Sequence, residues 1–270
     1  MADSGNGFPR DGFPRGDGGD LMRTVLITGA ARNIGADIAR TFARAGYRVV
    51  LNATGADDIE AVAGQITAAG GQALCIPADI RDPSQVEDMV GLVTARFGGV
   101  DVLVNNAMIR KHRPIEQTSS ADWRAVLDVV LDGSFNCIKA VLPQMRAAGW
   151  GRIISLGGVA GQQGAVGRAA VVTAKSGLFG LTKAVALETA AQGITVNVVS
   201  PGIIDTDRGD LARMGEREAV RAHYEDEIAA IPAGRAGRAS EISGTCLFLA
   251  SEPAAFITGQ IIGVNGGRYL

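Results

Sequence analysis

The chain has 270 residues, 47% of them apolar, and 26 basic against 28 acidic side chains leave a formal net charge of -2. This suits one large core in a single α/β domain, and the near-neutral balance argues against nucleic acid as a partner. Cys75, Cys137 and Cys246 lie far apart in apolar segments, which reads as reduced thiols with no disulfide framework and no metal site. No apolar run approaches the roughly 20 residues a bilayer span needs and no signal-peptide core opens the chain, so a soluble, cytoplasmic protein without membrane association is expected.

Residues 1–23 repeat G-F-P-R around Phe8 and Phe13, are rich in Gly, Asp and Arg, and read as a disordered tail. Thr24 to Ile27 form a β-branched apolar run that enters the small-residue turn T-G-A-A-R-N-I-G, Thr28 to Gly35. Ile34, Ile38, Ala39, Phe42 and Ala43 then recur at helical spacing. A strand, a tight turn and a helix in this order let a pyrophosphate approach the backbone at Gly29, Arg32, Asn33, Ile34 and Gly35, against the free N–H groups of a helix start. The glycine spacing alone is a weak signal, and the flanking strand and helix strengthen it. Asn33 stands between the glycines, and Asn tolerates left-handed backbone better than most residues.

Tyr47 to Leu51 reads as the second strand, ending in Asn52, Ala53 and Thr54. A dinucleotide fold usually places an acid there for the ribose 2′-hydroxyl. Neutral residues at that point, with Arg32 able to meet a 2′-phosphate, favour NADP(H) over NAD(H). The competing reading makes Arg32 a solvated loop charge. A helix over Asp57 to Ala69 and a strand over Gln72 to Ile76 lead to Asp79-Ile80, where Asp79 either receives the adenine amino group or caps the helix that begins near Pro83. After a helix ending near Phe97, the strand Val100 to Val104 runs into Asn105-Asn106-Ala107. Strands alternating with helices argue for a parallel sheet covered on both faces, with ligands at the carboxyl ends of the strands.

These motifs, with Ala174-Lys175, the segment N-V-V-S-P-G at 197–202, Thr206 and the ending G-Q-I-I-G-V-N-G-G, resemble the short-chain dehydrogenase/reductase family over residues 24–270. The resemblance implies a single-domain, Rossmann-type, doubly wound parallel sheet of the α/β class. It further implies a nucleotide site that includes Gly29, Thr54, Asp79, Ile80, Asn106, Ala107 and Lys175, with Pro201, Gly202, Ile204 and Thr206 cradling the nicotinamide carboxamide. Lys175 is the one catalytic position it retains. The family's serine falls at Gly158, its tyrosine at Val171 and its asparagine at Val130, and the variant spacing of enoyl reductases puts the tyrosine at Arg168. A valine transfers no proton. Met108 replaces the glycine that usually follows N-N-A, adding bulk beside the expected nicotinamide. Of the nearest polar stand-ins, Ser155 lies three residues before the serine position on a strand whose side chains alternate, Thr173 points in a different direction from Lys175, and solvent or a helix–helix contact explains Asp132 better.

Arg110, Lys111, His112 and Arg113 form a basic loop that reads either as a solvated surface or as an attractor of an anionic substrate, with His112 as an exposed, idle histidine. A long helix over Ala121 to Ala148 carries Trp123, Val126, Val130, Phe135, Ile138 and Leu142 on apolar faces. By resemblance this helix and the one after Gly167 build the interfaces of a homotetramer, or of a homodimer. Asp205 to Pro232, with Arg208, Arg213, Arg217, Arg221, His223 and Tyr224, stands in the position of the family's substrate lid. A last helix over Ser240 to Ala250 and a strand over Gln260 to Val264 close the sheet. Three functions remain in competition: an NADP(H) oxidoreductase acting on a small molecule without the usual tyrosine, a non-redox lyase or isomerase, and a catalytically silent nucleotide-binding protein.

Overall fold

The computed structural model describes residues 22–206 and 225–270. Most of the sequence read as a tail, and Arg208, Arg213, Arg217, Arg221, His223 and Tyr224 of the expected lid, lie outside the described residues. Met22 and Arg23, at the end of the tail as read, are tied to the fold, Met22 through its backbone only while its side chain is exposed. The Met22 carbonyl accepts from Arg48 Nε at 2.9 Å, and the Arg23 guanidinium lies 3.5 Å above the Trp150 ring while donating to Glu252.

Strand β1 (Thr24–Thr28), helix α1 (Asn33–Arg44), β2 (Arg48–Ala53), α2 (Ala56–Ala68), β3 (Gln72–Pro77), α3 (Pro83–Phe97) and β4 (Val102–Asn105) form the first half. The second half holds α4 (Ser120–Leu127), α5 (Gly133–Ala148), β5 (Gly151–Leu156), α6 (Val159–Gln163), α7 (Ala169–Thr189), β6 (Ile194–Pro201), β7 (Ile204–Asp205), β8 (Gly237–Arg238), α8 (Ala239–Leu249) and β9 (Ile261–Val264). Seven strands pair in parallel in the order β3-β2-β1-β4-β5-β6-β9, and β7 pairs with β8 separately. The order reverses between β1 and β4, with β2 and β4 paired to opposite sides of Val25 to Ile27 in β1, and the crevice at such a switch point is where this architecture binds ligands.

The inner strands are apolar on both faces because both are covered. Ile38 and Phe42 of α1, Ile59 of α2 and Cys246 of α8 share one core with β1 and β2, while Val86 of α3, Ile138 of α5 and Val185 of α7 pack on the other face. The helix expected as one piece over 121–148 is broken: a π-turn over Asp128–Asp132 separates α4 from α5. Phe135, assigned to an apolar face, is 50% exposed. One described segment, Ala169–Gln192, is long and apolar enough to cross a membrane by length and composition. It carries Lys175 and Lys183, and its stripe Ala174, Leu178, Val185 and Ala186 is buried in the fold.

Candidate active site

The glycine turn is held by close packing and left-handed backbone. Gly29 has φ 64°, and a Cβ added there would lie 2.8 Å from Ala107 Cα. At Gly35 an added Cβ would lie 2.2 Å from the Gly29 carbonyl oxygen, so the helix start and the turn touch. Asn33 has φ 52°, the one positive φ outside glycine among the described residues, as suits an asparagine. Helix α1 begins with no acid in its first turn and no side-chain cap from Arg32, leaving its first N–H groups and positive dipole end facing the crevice. Ile34 packs partly on the core behind.

Asn106 and Ala107 brace this turn. The Asn106 amide donates to the carbonyls of Thr28 and Gly29 at 3.1 and 2.9 Å, and the backbone N–H groups of Asn106 and Ala107 donate to Thr28 Oγ1 at 3.0 and 3.1 Å. Thr28 is fully buried and was not singled out from sequence; its signal was its place at the last position of a strand entering a glycine turn.

Around the expected adenosine end the residues divide. Thr54 is exposed, whereas Asn52 is buried and its amide donates to the carbonyls of Ile76 and Ala78 at 3.1 and 3.0 Å. Asn52 therefore fastens β2 to β3 and does not face a ribose. The Asp79 carboxylate is bound by Arg81, whose hydrogen bond holds it below the usual carboxylate range. The cap of α3 is Asp82, which accepts from the Ser84 N–H at 2.9 Å, so the capping role considered for Asp79 falls to a residue three further on. The Ile80 side chain is buried in the core, and its carbonyl accepts from Asn136 at 3.0 Å.

Lys175 sits on α7, 5% exposed, and its Nζ donates to the carbonyl of Leu156 at the end of β5. Burial first, and then the Arg110 cation, bring the amine down to about 7. One helical turn earlier, Val171 packs with Val126, Val130, Ala170, Ala174 and Leu178, and Met108 and Ile109 press on the same cluster. Gly158 caps the start of α6 at φ 157° and ψ 148°, a conformation open to glycine and little else. Ser155 is buried in the sheet and accepts from the Asn105 amide at 3.4 Å. Thr173 is exposed, and Asp132 pairs with Arg124 at 3.1 Å. A further polar pair was missed from sequence: Ser200, fully buried at the end of β6, donates to Gln162 Oε1 of α6 at 2.6 Å.

Pro201 ends β6, and Gly202 lets the chain pass Asn265, where an added Cβ would lie 2.9 Å from Cα. Ile204 is buried in β7, and Thr206 Oγ1 donates to its carbonyl at 3.4 Å. Two expectations for the basic loop change. His112 is half-buried, and burial followed by the Arg168 and Arg110 cations holds it down to about 4, so it is neutral at physiological pH. Lys111 and Arg113 are drawn onto Asp122, at 3.1 and 3.7 Å. Among the described residues no group of three or more His, Cys, Asp and Glu side chains is placed to hold a metal.

The switch point, the glycine turn beneath it and the covered parallel sheet define a Rossmann-type α/β protein. A family model described as enoyl-(acyl carrier protein) reductase matches residues 29–268. A 3-oxoacyl-[acyl-carrier-protein] reductase FabG of Staphylococcus epidermidis is 41% identical over 252 residues, 93% of this chain and 100% of the relative. The FabG of Staphylococcus aureus is 40% identical over 93% of this chain and 99% of its own, and that of Escherichia coli 38% over 92% and 98%. The chain belongs to the short-chain dehydrogenase/reductase family, and it is an oxidoreductase.

Proposed function

We propose that this oxidoreductase uses NADP(H) and exchanges hydride with an already activated C=N or C=C bond of a small molecule. The observation that carries the reading is the apolar floor beside Lys175, where Val130, Val171 and Ala174 pack with Met108 and Ile109. In the register of the family resemblance, Val171, Gly158 and Val130 occupy the tyrosine, serine and asparagine positions. General acid–base help, typically worth 10²–10⁴-fold, is then absent, as is polarisation of the substrate oxygen.

The residues present fit the nucleotide. The uncapped start of α1 and the Gly29–Gly35 turn offer N–H donors to a pyrophosphate, with Arg32, Asn33 and Ile34 along the same edge. Arg32 would hold the 2′-phosphate, Thr54 offers the ribose no acid, and Asp79 with the Ile80 backbone would hold the adenine. Asn106 and Ala107 hold the turn from behind. Lys175, now on the Leu156 carbonyl, would hold the nicotinamide ribose, and Pro201, Gly202, Ile204 and Thr206 would hold the carboxamide. NADPH, when bound, would supply the hydride. The chain's own residues then orient and desolvate, and they donate no proton from the floor, so the reactions best served are those whose electrophile is activated beforehand.

The curated relatives are 3-oxoacyl reductases, while the matching family model is described by reduction of an enoyl group. A conjugated enoyl bond suits an acid-free floor better than a neutral 3-oxo carbonyl does. We read the enzyme as cytoplasmic and as a homotetramer with three free cysteines, Cys75, Cys137 and Cys246. The test is an NADPH fluorescence titration followed by turnover on activated enones, cyclic imines, simple ketones and secondary alcohols. Enones or imines should exceed ketones by about 10²–10⁴-fold, with no tyrosine limb in the pH profile. Rapid reduction of ordinary ketones would sink the reading and make Tyr224 the first suspect for a replacement acid.

A further inference from the structure

Beside the floor of the site stands a group of cations that the hydride chemistry does not use. The loop after β4 carries Arg110, Lys111, His112 and Arg113, and Arg168 lies at the start of α7. The Arg113 N–H donates to the Gly167 carbonyl at 2.8 Å, which fastens the two loops and brings His112 and Arg168 to one junction. Asp122 takes up Lys111 and Arg113. Arg168 has no hydrogen-bonding or ion-pair partner for its guanidinium among the described residues. It occupies the N-cap of a 21-residue helix, where the positive end of the dipole opposes a cation, so the fold gains nothing from its charge.

The surroundings sharpen the choice of ligand. The same two loops flank an open cleft of about 450 Å³ lined by Arg113, Ile115, Ala165, Val166, Ala169 and Val172. Glu116, the one acid in that lining, is exposed on the 3₁₀ turn Ile115–Gln117. The charges reach the hydride site too: Arg110 acts on both His112 and Lys175. A half-buried histidine in the field of two arginines, next to a largely aliphatic cleft, is complementary to one negative charge on a hydrocarbon body. A compact inorganic anion would leave the cleft empty.

We propose that this junction binds an organic carboxylate with an aliphatic body, the acid held by Arg168 and His112 and the chain laid in the cleft, and that such an acid is the substrate class of the enzyme. The proposal rests on the oxidoreductase reading for the word substrate, and on the junction alone for binding. The guanidinium fork suits a carboxylate in two-point contact, and His112 donates a third hydrogen bond. The added negative charge opposes the burial and the two arginine cations that together hold the imidazole neutral.

Full-length protein without nucleotide is titrated calorimetrically with octanoate, acetate, 1-octanol and inorganic phosphate, while the His112 ring is followed by NMR and assigned with His112→Gln. Octanoate should bind at least tenfold tighter than the other three and raise the His112 pKa from about 4 toward the ordinary range. Arg168→Gln should bring octanoate down to the level of octanol, and raise the His112 pKa in the absence of ligand because a neighbouring cation is gone. Equal binding of octanol, phosphate equal to octanoate, or unchanged octanoate affinity in a folded Arg168→Gln protein each overturn the proposal. NADPH binding is measured separately on the same samples: its loss counts against the oxidoreductase reading, and loss of octanoate binding alone counts against the acid site.

Discussion

At the residue scale, Arg32 and Lys175 carry the most informative charges. Arg32 is exposed at the N-cap of α1, and Thr54 is neutral, so in the proposed site cofactor choice turns on one guanidinium. Arg32→Ala should weaken NADPH binding by about 1.5–3 kcal/mol, the range for a hydrogen bond to a charged group, and leave NADH nearly unchanged. Equal losses in parallel fluorescence titrations would show that Arg32 does not read the phosphate. For Lys175 the amine is brought down to about 7 by burial and by Arg110, whereas in the unfolded chain it titrates at roughly 10.4. Below the folded value both states hold the proton and the buried charge penalises the fold. From about pH 7 to about pH 10 only the unfolded chain stays protonated, so stability rises with pH. Lys175→Met removes that term. The melting temperature of the natural protein should climb relative to the variant across this window, and parallel curves would show that the amine is not desolvated. The same variant should bind NADPH more weakly if the lysine meets the ribose.

At the element scale, the strand, turn and helix of residues 24–44 show what can be read from sequence and what cannot. The glycine turn, Asn33 in left-handed backbone and the alternation of strands and helices were legible because each depends on local propensity and spacing. Asn52 as a clamp on β3, Thr28 as acceptor for two backbone N–H groups and Asp82 as the α3 cap depend on which chain passes nearby, or on a one-turn choice between neighbouring acids. The π-turn that breaks the expected long helix has no proline or glycine within it to announce it. Val130 and Val171 were legible as apolar residues. That Met108 and Ile109 press against them could be read only from the packing. The helix start makes a test of its own. Gly35→Ala places a methyl against the Gly29 carbonyl, with Cβ at 2.2 Å, and backbone must give way. Overpacking of this kind costs about 1–3 kcal/mol, and NADPH affinity should fall at least tenfold because the moved turn is the one proposed to meet the pyrophosphate. Full affinity with native stability would separate the turn from nucleotide binding.

At the scale of the whole molecule, both faces of the sheet are already covered, so apolar groups left on the outside have no further use within one chain. Phe135 near the start of α5 is 50% exposed and Leu187 on α7 is 87% exposed, and α5 and α7 cover the same face of the sheet. The buried stripe of α7 packs inward on β6 and α4, which leaves Leu187 on its outer side. Two helices with apolar outer positions on one layer suit a two-fold contact with the same helices of a second copy, since a two-fold axis pairs each patch with itself. The family resemblance implies the same helices. Phe135→Glu would then place like charges near each other in a desolvated interface, and like-charge juxtaposition of this kind costs several kcal/mol. Sedimentation velocity should show a four-chain particle for the natural protein and a two-chain particle for Phe135→Glu, with Leu187→Glu acting in the same direction. An exposed glutamate leaves the monomer core untouched, so the far-ultraviolet circular dichroism should be unchanged. A natural protein that sediments as one chain, or a Phe135→Glu variant that keeps its size, would mean that these side chains face solvent in the working enzyme.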